Sequence, residues 1–105
     1  MLGRMTLTKK QTKQLRALAN ALKPLVYIGK NDITDALTKQ ADETLESHEL
    51  VKFQIQDGSG YTAKEAAAEL AEALGAEVVQ TIGNRAVLYR RSKRDDVEHI
   101  QLVRE

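Results

Sequence analysis

The stretch LVYIGKNDITDALTKQADETLESHELVKFQIQ, residues 25–56, decides the fold. Leu25-Val26-Tyr27-Ile28 follows Pro24 and is rich in β-favouring side chains, which predicts a short strand. Gly29-Lys30-Asn31-Asp32 predicts a loop. Beyond it Ile33, Leu37, Ala41 and Leu45 recur every four residues with Ala36 alongside, the pattern of an amphipathic helix over 33–47. Its wet side carries Asp35, Lys39, Asp42, Glu43 and Glu46, and His48 is expected to close it, where a cation suits the terminal carbonyls. Val51, Phe53 and Ile55 then alternate with Lys52, Gln54 and Gln56, the period of a half-buried strand. Strand, helix and strand in this order imply a parallel pair joined by a right-handed crossover.

On the N-terminal side, Thr8 with Gln11 has the spacing of a capping box, and Leu15, Leu18, Ala19 and Leu22 stripe a first helix that Pro24 is expected to stop. On the C-terminal side, Asp57-Gly58-Ser59-Gly60 reads as a turn, without the lysine and spacing of a nucleotide loop. Thr62 with Glu65 repeats the capping box. Ala63, Ala66, Ala67, Leu70, Ala71 and Leu74 stripe a third helix, and Gly75 stands where a helix terminates. Strands are predicted at 77–82 and 86–89, with Gly83-Asn84 as a two-residue hairpin. The order α-β-α-β-α-β-β defines an α/β fold class: a four-stranded mixed sheet packed with three helices. Its two crossovers imply two parallel pairs and its hairpin one antiparallel pair. Residues 1–6 read as a flexible N-terminus, 7–91 as the domain and 92–105 as a charged tail. Val97, Ile100, Leu102 and Val103 are expected to dock that tail as an extra strand or a short helix.

A chain of 105 residues suits one core, built from Leu, Ile, Val and Ala because aromatic residues make up only 4%. Without cysteine there are no disulfides and no thiolate metal sites. No apolar run approaches a membrane span, and the start lacks the apolar stretch of a leader, so a soluble cytoplasmic protein is expected. The net charge of +1 conceals a division. Residues 1–30 hold seven bases and no acid, residues 31–82 three bases against eleven acids, and residues 83–94 five bases and no acid.

At about 100° per residue, Lys9, Lys13, Arg16 and Asn20 share one narrow helix face opposite the apolar stripe. No acid stands four residues away to neutralise them, and such a face suits phosphates, whose binding gains from counterion release. Gly29-Lys30-Asn31-Asp32, between a strand and a helix start, offers free backbone N–H groups to an anion. Catalysis finds no constellation: His48 and His99 are far apart in sequence, and Glu65, Glu69 and Glu72 line the wet face of a helix. No catalytic residue, metal site or cofactor is expected.

Leu7-Thr8-x-Lys10-Gln11, Leu15-Arg16, Ala19, Leu22-Lys23-Pro24 and Ile28-Gly29-Lys30-Asn31 resemble the first half of the CRM domain, the chloroplast RNA splicing and ribosome maturation family. His48-Glu49-Leu50-Val51-Lys52, Leu70-Ala71, Gly75-Ala76, Val79-Gln80, Ile82-Gly83 and Leu88-Tyr89-Arg90 continue the resemblance, which runs in order from Leu7 to Arg91. In length the chain is similar to the bacterial stand-alone, YhbY-like members. The resemblance implies a fold like the C-terminal domain of translation initiation factor three, and RNA binding in precursors of the large ribosomal subunit. It also implies a GxxG loop that clamps the RNA backbone. Gly29, Lys30 and Asn31 match that loop, but Asp32 replaces its second glycine. Asp32 is suited to capping the second helix, and it sets a negative charge where a phosphate would approach. The expected RNA-contacting set is therefore Lys9, Lys10, Lys13, Arg16, Lys23, Gly29, Lys30, Asn31, Arg85, Arg90 and Arg91, with more of the binding falling to the basic helix and the last three arginines. The expected partner is ribosomal RNA, bound by a monomer. The alternative is a protein-interaction module whose acidic helices, 33–47 and 62–74, dock a basic ribosomal protein.

Overall fold

A computed structural model describes residues 7–29, 33–56 and 60–103. The expectations for Lys30, Asn31 and Asp32, for the turn at 57–59 and for residues 1–6 lie outside the described residues. The elements are α1 (Lys9–Ala19), β1 (Val26–Ile28), α2 (Asp35–His48), β2 (Leu50–Ile55), α3 (Ala63–Leu74), β3 (Glu77–Ile82) and β4 (Arg85–Tyr89), in the predicted order.

Local chemistry sets most of their ends. Thr8 Oγ1 accepts from the Gln11 N–H at 3.1 Å while Gln11 Oε1 accepts from the Thr8 N–H at 3.0 Å, and Thr62 and Glu65 repeat the exchange before α3. Gly75 caps α3 with φ +67°, and Gly83 opens the β3–β4 turn with φ +57°, conformations that glycine adopts without strain. Two ends differ from expectation. The N-cap of α2 is Thr34, whose hydroxyl accepts from the Leu37 N–H at 3.1 Å, so the role considered for Asp32 belongs to a threonine two residues later. The first helix ends at Ala19, before Pro24 is reached, and the Leu22 N–H turns back onto the Ala19 carbonyl. Leu18 and Leu22 consequently leave the buried stripe, of which only Leu15 and Ala19 are enclosed.

The sheet order is β1-β2-β4-β3. β1 and β2 are parallel, as the first crossover requires. The second crossover does not make a hydrogen-bonded pair, because β4 inserts between β2 and β3 and is antiparallel to both. Burial explains the insertion. Ala86, Val87, Leu88 and Tyr89 are all buried, so β4 needs cover on both faces and a neighbour on each edge. β3 exposes Val78 and Ile82 and tolerates the rim.

Two cores follow, one on each face of the sheet. Val26, Ile28, Val51, Phe53, Ile55, Ala86 and Leu88 pack against α2 and α3, where Ala63, Ala66, Ala67 and Ala71 let α3 lie close. Each large side chain enclosed there, such as Phe53 or Leu70, contributes roughly 1.5–3 kcal/mol. On the other face Leu50, Val79, Val87 and Tyr89 pack against Leu15 and Ala19 of α1, with Leu7, Ile100 and Leu102 closing the edge. The tail is neither strand nor helix; it crosses this face as irregular chain. Gln14 fixes its end, accepting from the Val103 N–H at 2.8 Å and donating to the Gln101 carbonyl at 2.7 Å.

Candidate nucleic-acid interface

The two faces of the sheet carry opposite charge. Lys9, Lys10, Lys13, Arg16 and Lys23 are all exposed on or just after α1. None of them forms an ion pair with an acid among the described residues, and the first turn of α1 contains no acid. Lysines in the first turn oppose the helix dipole. Stability of α1 therefore does not account for Lys9 and Lys10; the capping box holds the helix in spite of them.

A β-bulge extends this basic surface onto the sheet. The ladder between β3 and β4 shifts between Val78 and Gln80, leaving Val79 as the extra residue. Val79 turns into the α1-side core, and its carbonyl accepts from Arg16 Nε at 3.3 Å. Because of the shift, Gln80 and Ile82 also point to the α1 side, opposite Val87 and Arg85. One register row on this face thus reads Tyr27, Gln54, Arg85 and Ile82 across all four strands; the next holds Lys52, Val87 and Gln80. Helix α1 covers the far end of the face and closes over Val87, which is buried, while the row of Tyr27 stays open, with Tyr27 53% and Ile82 64% exposed. Asn20, Lys52, Gln80, Ile82, Arg85 and Val87 line a cleft of about 270 Å³ where α1 meets the strip. Arg85 Nε donates to Gln54 Oε1 at 2.9 Å, which orients its guanidinium along the strip.

The expected RNA-contacting residues thus fall into three places. Lys9, Lys13, Arg16 and Arg85 adjoin one surface. Lys10 and Lys23 are exposed on α1 and just past it, and Lys23 shares an apolar groove with Lys52. Gly29 ends β1 at the rim of the sheet, where a Cβ would stand 3.0 Å from Gln56 Oε1. Arg90 is a correction. It faces the α2–α3 side, where Nη1 donates to Asp42 Oδ1 at 2.7 Å and to the Leu74 carbonyl at 3.0 Å, and Nη2 to Glu46 Oε1 at 3.1 Å. Its guanidinium closes the C-terminal end of α3 and is spent inside the fold. Arg91 is exposed beside Gly75 and Glu77, roughly 20 Å along the chain from Arg85 at the strand's rise per residue. Sequence reasoning passed over Lys52, Gln54 and Tyr27, although the alternation that buries Val51, Phe53 and Ile55 already put Lys52 and Gln54 on the other face.

The opposite layer holds most of the acids, but several are spent internally. Glu46 accepts from the Lys93 N–H at 2.7 Å, from Ser92 Oγ at 3.1 Å and from Arg90. The Lys93 N–H bond holds its carboxyl below the ordinary value; partial burial opposes this, and Ser92 and Arg90 add to the lowering. Glu65 is used in its capping box, and Glu69 accepts from the Tyr61 hydroxyl at 3.1 Å. Among the described residues no group of three His, Cys, Asp or Glu side chains is placed to hold a metal, and no helix is long and apolar enough to cross a membrane.

The fold and this surface define a class: a three-layer α/β domain in which a basic helix lies across one end of a mixed sheet. The chain belongs to the CRS1 / YhbY (CRM) domain family, whose profile matches residues 7–90. It is 38% identical over 87 residues to "Probable RNA-binding protein YqeI" of Bacillus subtilis, covering 83% of this chain and 91% of that protein. It is 32% identical over 93 residues to a protein of Haemophilus influenzae named "RNA-binding protein", covering 89% and 94% of the two chains. The solution structure of protein SAV1595 from Staphylococcus aureus, described as a candidate RNA-binding protein, is similar with a TM-score of 0.73 and 41% identity. The match covers 90% of this chain and all of that one.

Proposed function

We propose that this protein binds RNA through the α1 face and the open strip of sheet beside it, and that it does so as a non-enzymatic assembly factor on ribosomal RNA in precursors of the large ribosomal subunit. The observation that carries RNA binding is the run of exposed lysines on α1 without acidic partners, continuous with a sheet strip that bears Lys52 and Arg85. Such a surface gains affinity from phosphates by releasing their counterions. The relatives named as RNA-binding proteins support the same reading. Ribosomal RNA and the large subunit rest on the family resemblance, and action as a monomer in the cytoplasm is part of the same proposal. The alternative of a protein-docking module loses support, because Asp42 and Glu46 of its acidic face are already paired within the chain.

Filter binding to protein-free ribosomal RNA across a salt series tests RNA binding. Retention that weakens steeply with salt is expected, whereas retention only after a ribosomal protein is added would favour the docking module. Sucrose gradients of cell extract test the assembly role: co-migration with large-subunit precursors is expected, and a signal confined to the small subunit or to free protein would refute it.

A further inference from the structure

We infer that the open strip of sheet is a seat for unpaired nucleotides, with the Tyr27 ring as the platform on which a base stacks; this rests on the RNA-binding reading above. Tyr27 lies on β1, the three-residue edge strand, and alternation sends Val26 and Ile28 into the core while Tyr27 points to the α1 side, 53% exposed. No helix covers it there. Its register partner is Gln54, then Arg85, so an aromatic face, an amide and a guanidinium stand in line across three adjacent strands. Strand spacing puts neighbouring side chains about 5 Å apart, which is within the reach of one nucleotide.

The charge of the strip selects the partner. Neither the row of Tyr27 nor the row of Lys52 holds an acid among the described residues, while Lys52 and Arg85 add two cations and α1 supplies more beside them. A strip of this composition matches the two halves of a single-stranded nucleic acid: an aromatic ring for a base face, and cations for the backbone that follows it. A duplex hides its base faces in the stack and gives an aromatic platform nothing to hold, so phosphate contacts on α1 would serve a duplex without Tyr27. Gln80 offers both a donor and an acceptor to base edges, while the Gln54 amide holds Arg85 in line.

The test compares wild type, Tyr27→Ala and Tyr27→Phe on an unstructured oligoadenylate and on a fully paired RNA hairpin of equal length, with melting curves for each variant. Tyr27→Ala should weaken binding to oligoadenylate by roughly five- to fifty-fold and leave the hairpin nearly unchanged. Tyr27→Phe should keep wild-type affinity. The chain has three tyrosines and no tryptophan, so stacking is also visible directly. Oligoadenylate should quench tyrosine emission in wild type, and that quenching should vanish in Tyr27→Phe although binding persists. Equal affinities of wild type and Tyr27→Ala for oligoadenylate, or an equal loss on both RNAs, would overturn the seat while leaving RNA binding intact. Failure of wild type to bind either RNA would instead overturn the RNA-binding reading itself.

Discussion

Nδ1 of His99 lies 2.6 Å from Oε2 of Glu49, a glutamate with no solvent exposure at the joint between α2 and β2. The same carboxylate accepts from the Ser92 N–H and from the Ile100 N–H, each at 2.7 Å. Glu49 holds φ +67°, a conformation that costs a residue with a side chain of the order of 1 kcal/mol or more. That backbone lets its N–H close α2 on the Leu45 carbonyl while its own carbonyl accepts from Arg90. One residue thus ends a helix, starts a strand and anchors the tail.

The anchor predicts an acid-sensitive tail. Burial alone would raise the Glu49 carboxyl, but hydrogen bonds from His99, Ile100 and Ser92 outweigh it and hold the group below its ordinary value. A depressed folded value means that the stabilisation is fully present above the unfolded glutamate value of about 4.3 and is lost as pH falls through the lower folded one. Protection of the Ser92 and Ile100 amides from exchange should therefore fall as pH drops below the ordinary glutamate range, before the sheet opens. Glu49→Gln should loosen the tail at neutral pH by about 1–3 kcal/mol. Protection of Ile100 that ignores both pH and Glu49→Gln would disprove the anchor.

Lys9→Ala with Lys13→Ala should flatten the log–log salt slope of RNA binding by roughly 1.5 units while leaving the Tm in place. Adding Arg16→Ala should bring the change to about 2–3 units. That third substitution also removes the bond to the Val79 carbonyl, at a cost of up to about 1 kcal/mol. A slope unchanged in a folded variant would take this face out of the site.

Arg90→Ala separates structure from binding. Losing its contacts to Asp42, Glu46 and the Leu74 carbonyl should cost about 1–2 kcal/mol, discounted because Asp42 is half exposed. Thermal melting should show a Tm lower by about 5–10 °C. RNA affinity of the folded variant should match wild type, and a clear loss would return Arg90 to the interface.

Thr34→Ala removes the hydroxyl that caps α2 and should cost about 1 kcal/mol. Asp32→Asn should spare stability by comparison. RNA affinity should rise a few-fold in Asp32→Asn and fall in Lys30→Ala, both effects shrinking with added salt. Identical titrations of the two variants and wild type against one ribosomal RNA fragment would exclude the loop from binding.

Several features needed only neighbours in sequence. The capping boxes at Thr8 and Thr62, the left-handed glycines 75 and 83 and the alternation of β2 all depend on residues within a turn or a pleat of one another. The basic face of α1 was legible for the same reason: helix period alone puts Lys9, Lys13 and Arg16 together. Tertiary structure decided what depends on partners far along the chain. The run Ala86–Tyr89 signals burial on both faces, but that β4 takes its place between β2 and β3 depends on partners no local pattern names. The bulge at Val79 turns Gln80 and Ile82 toward α1, and a period of two counted along the sequence misses that reversal. Lys52, Tyr27 and Arg85 come from three strands and meet only through register. The sequence pattern assigned Glu49 no role and put Arg90 among the RNA contacts. Both residues are held inside the fold because donors and acceptors from 16 to 51 residues away arrive to satisfy them, and only those arrivals repay the cost of taking a charge out of water.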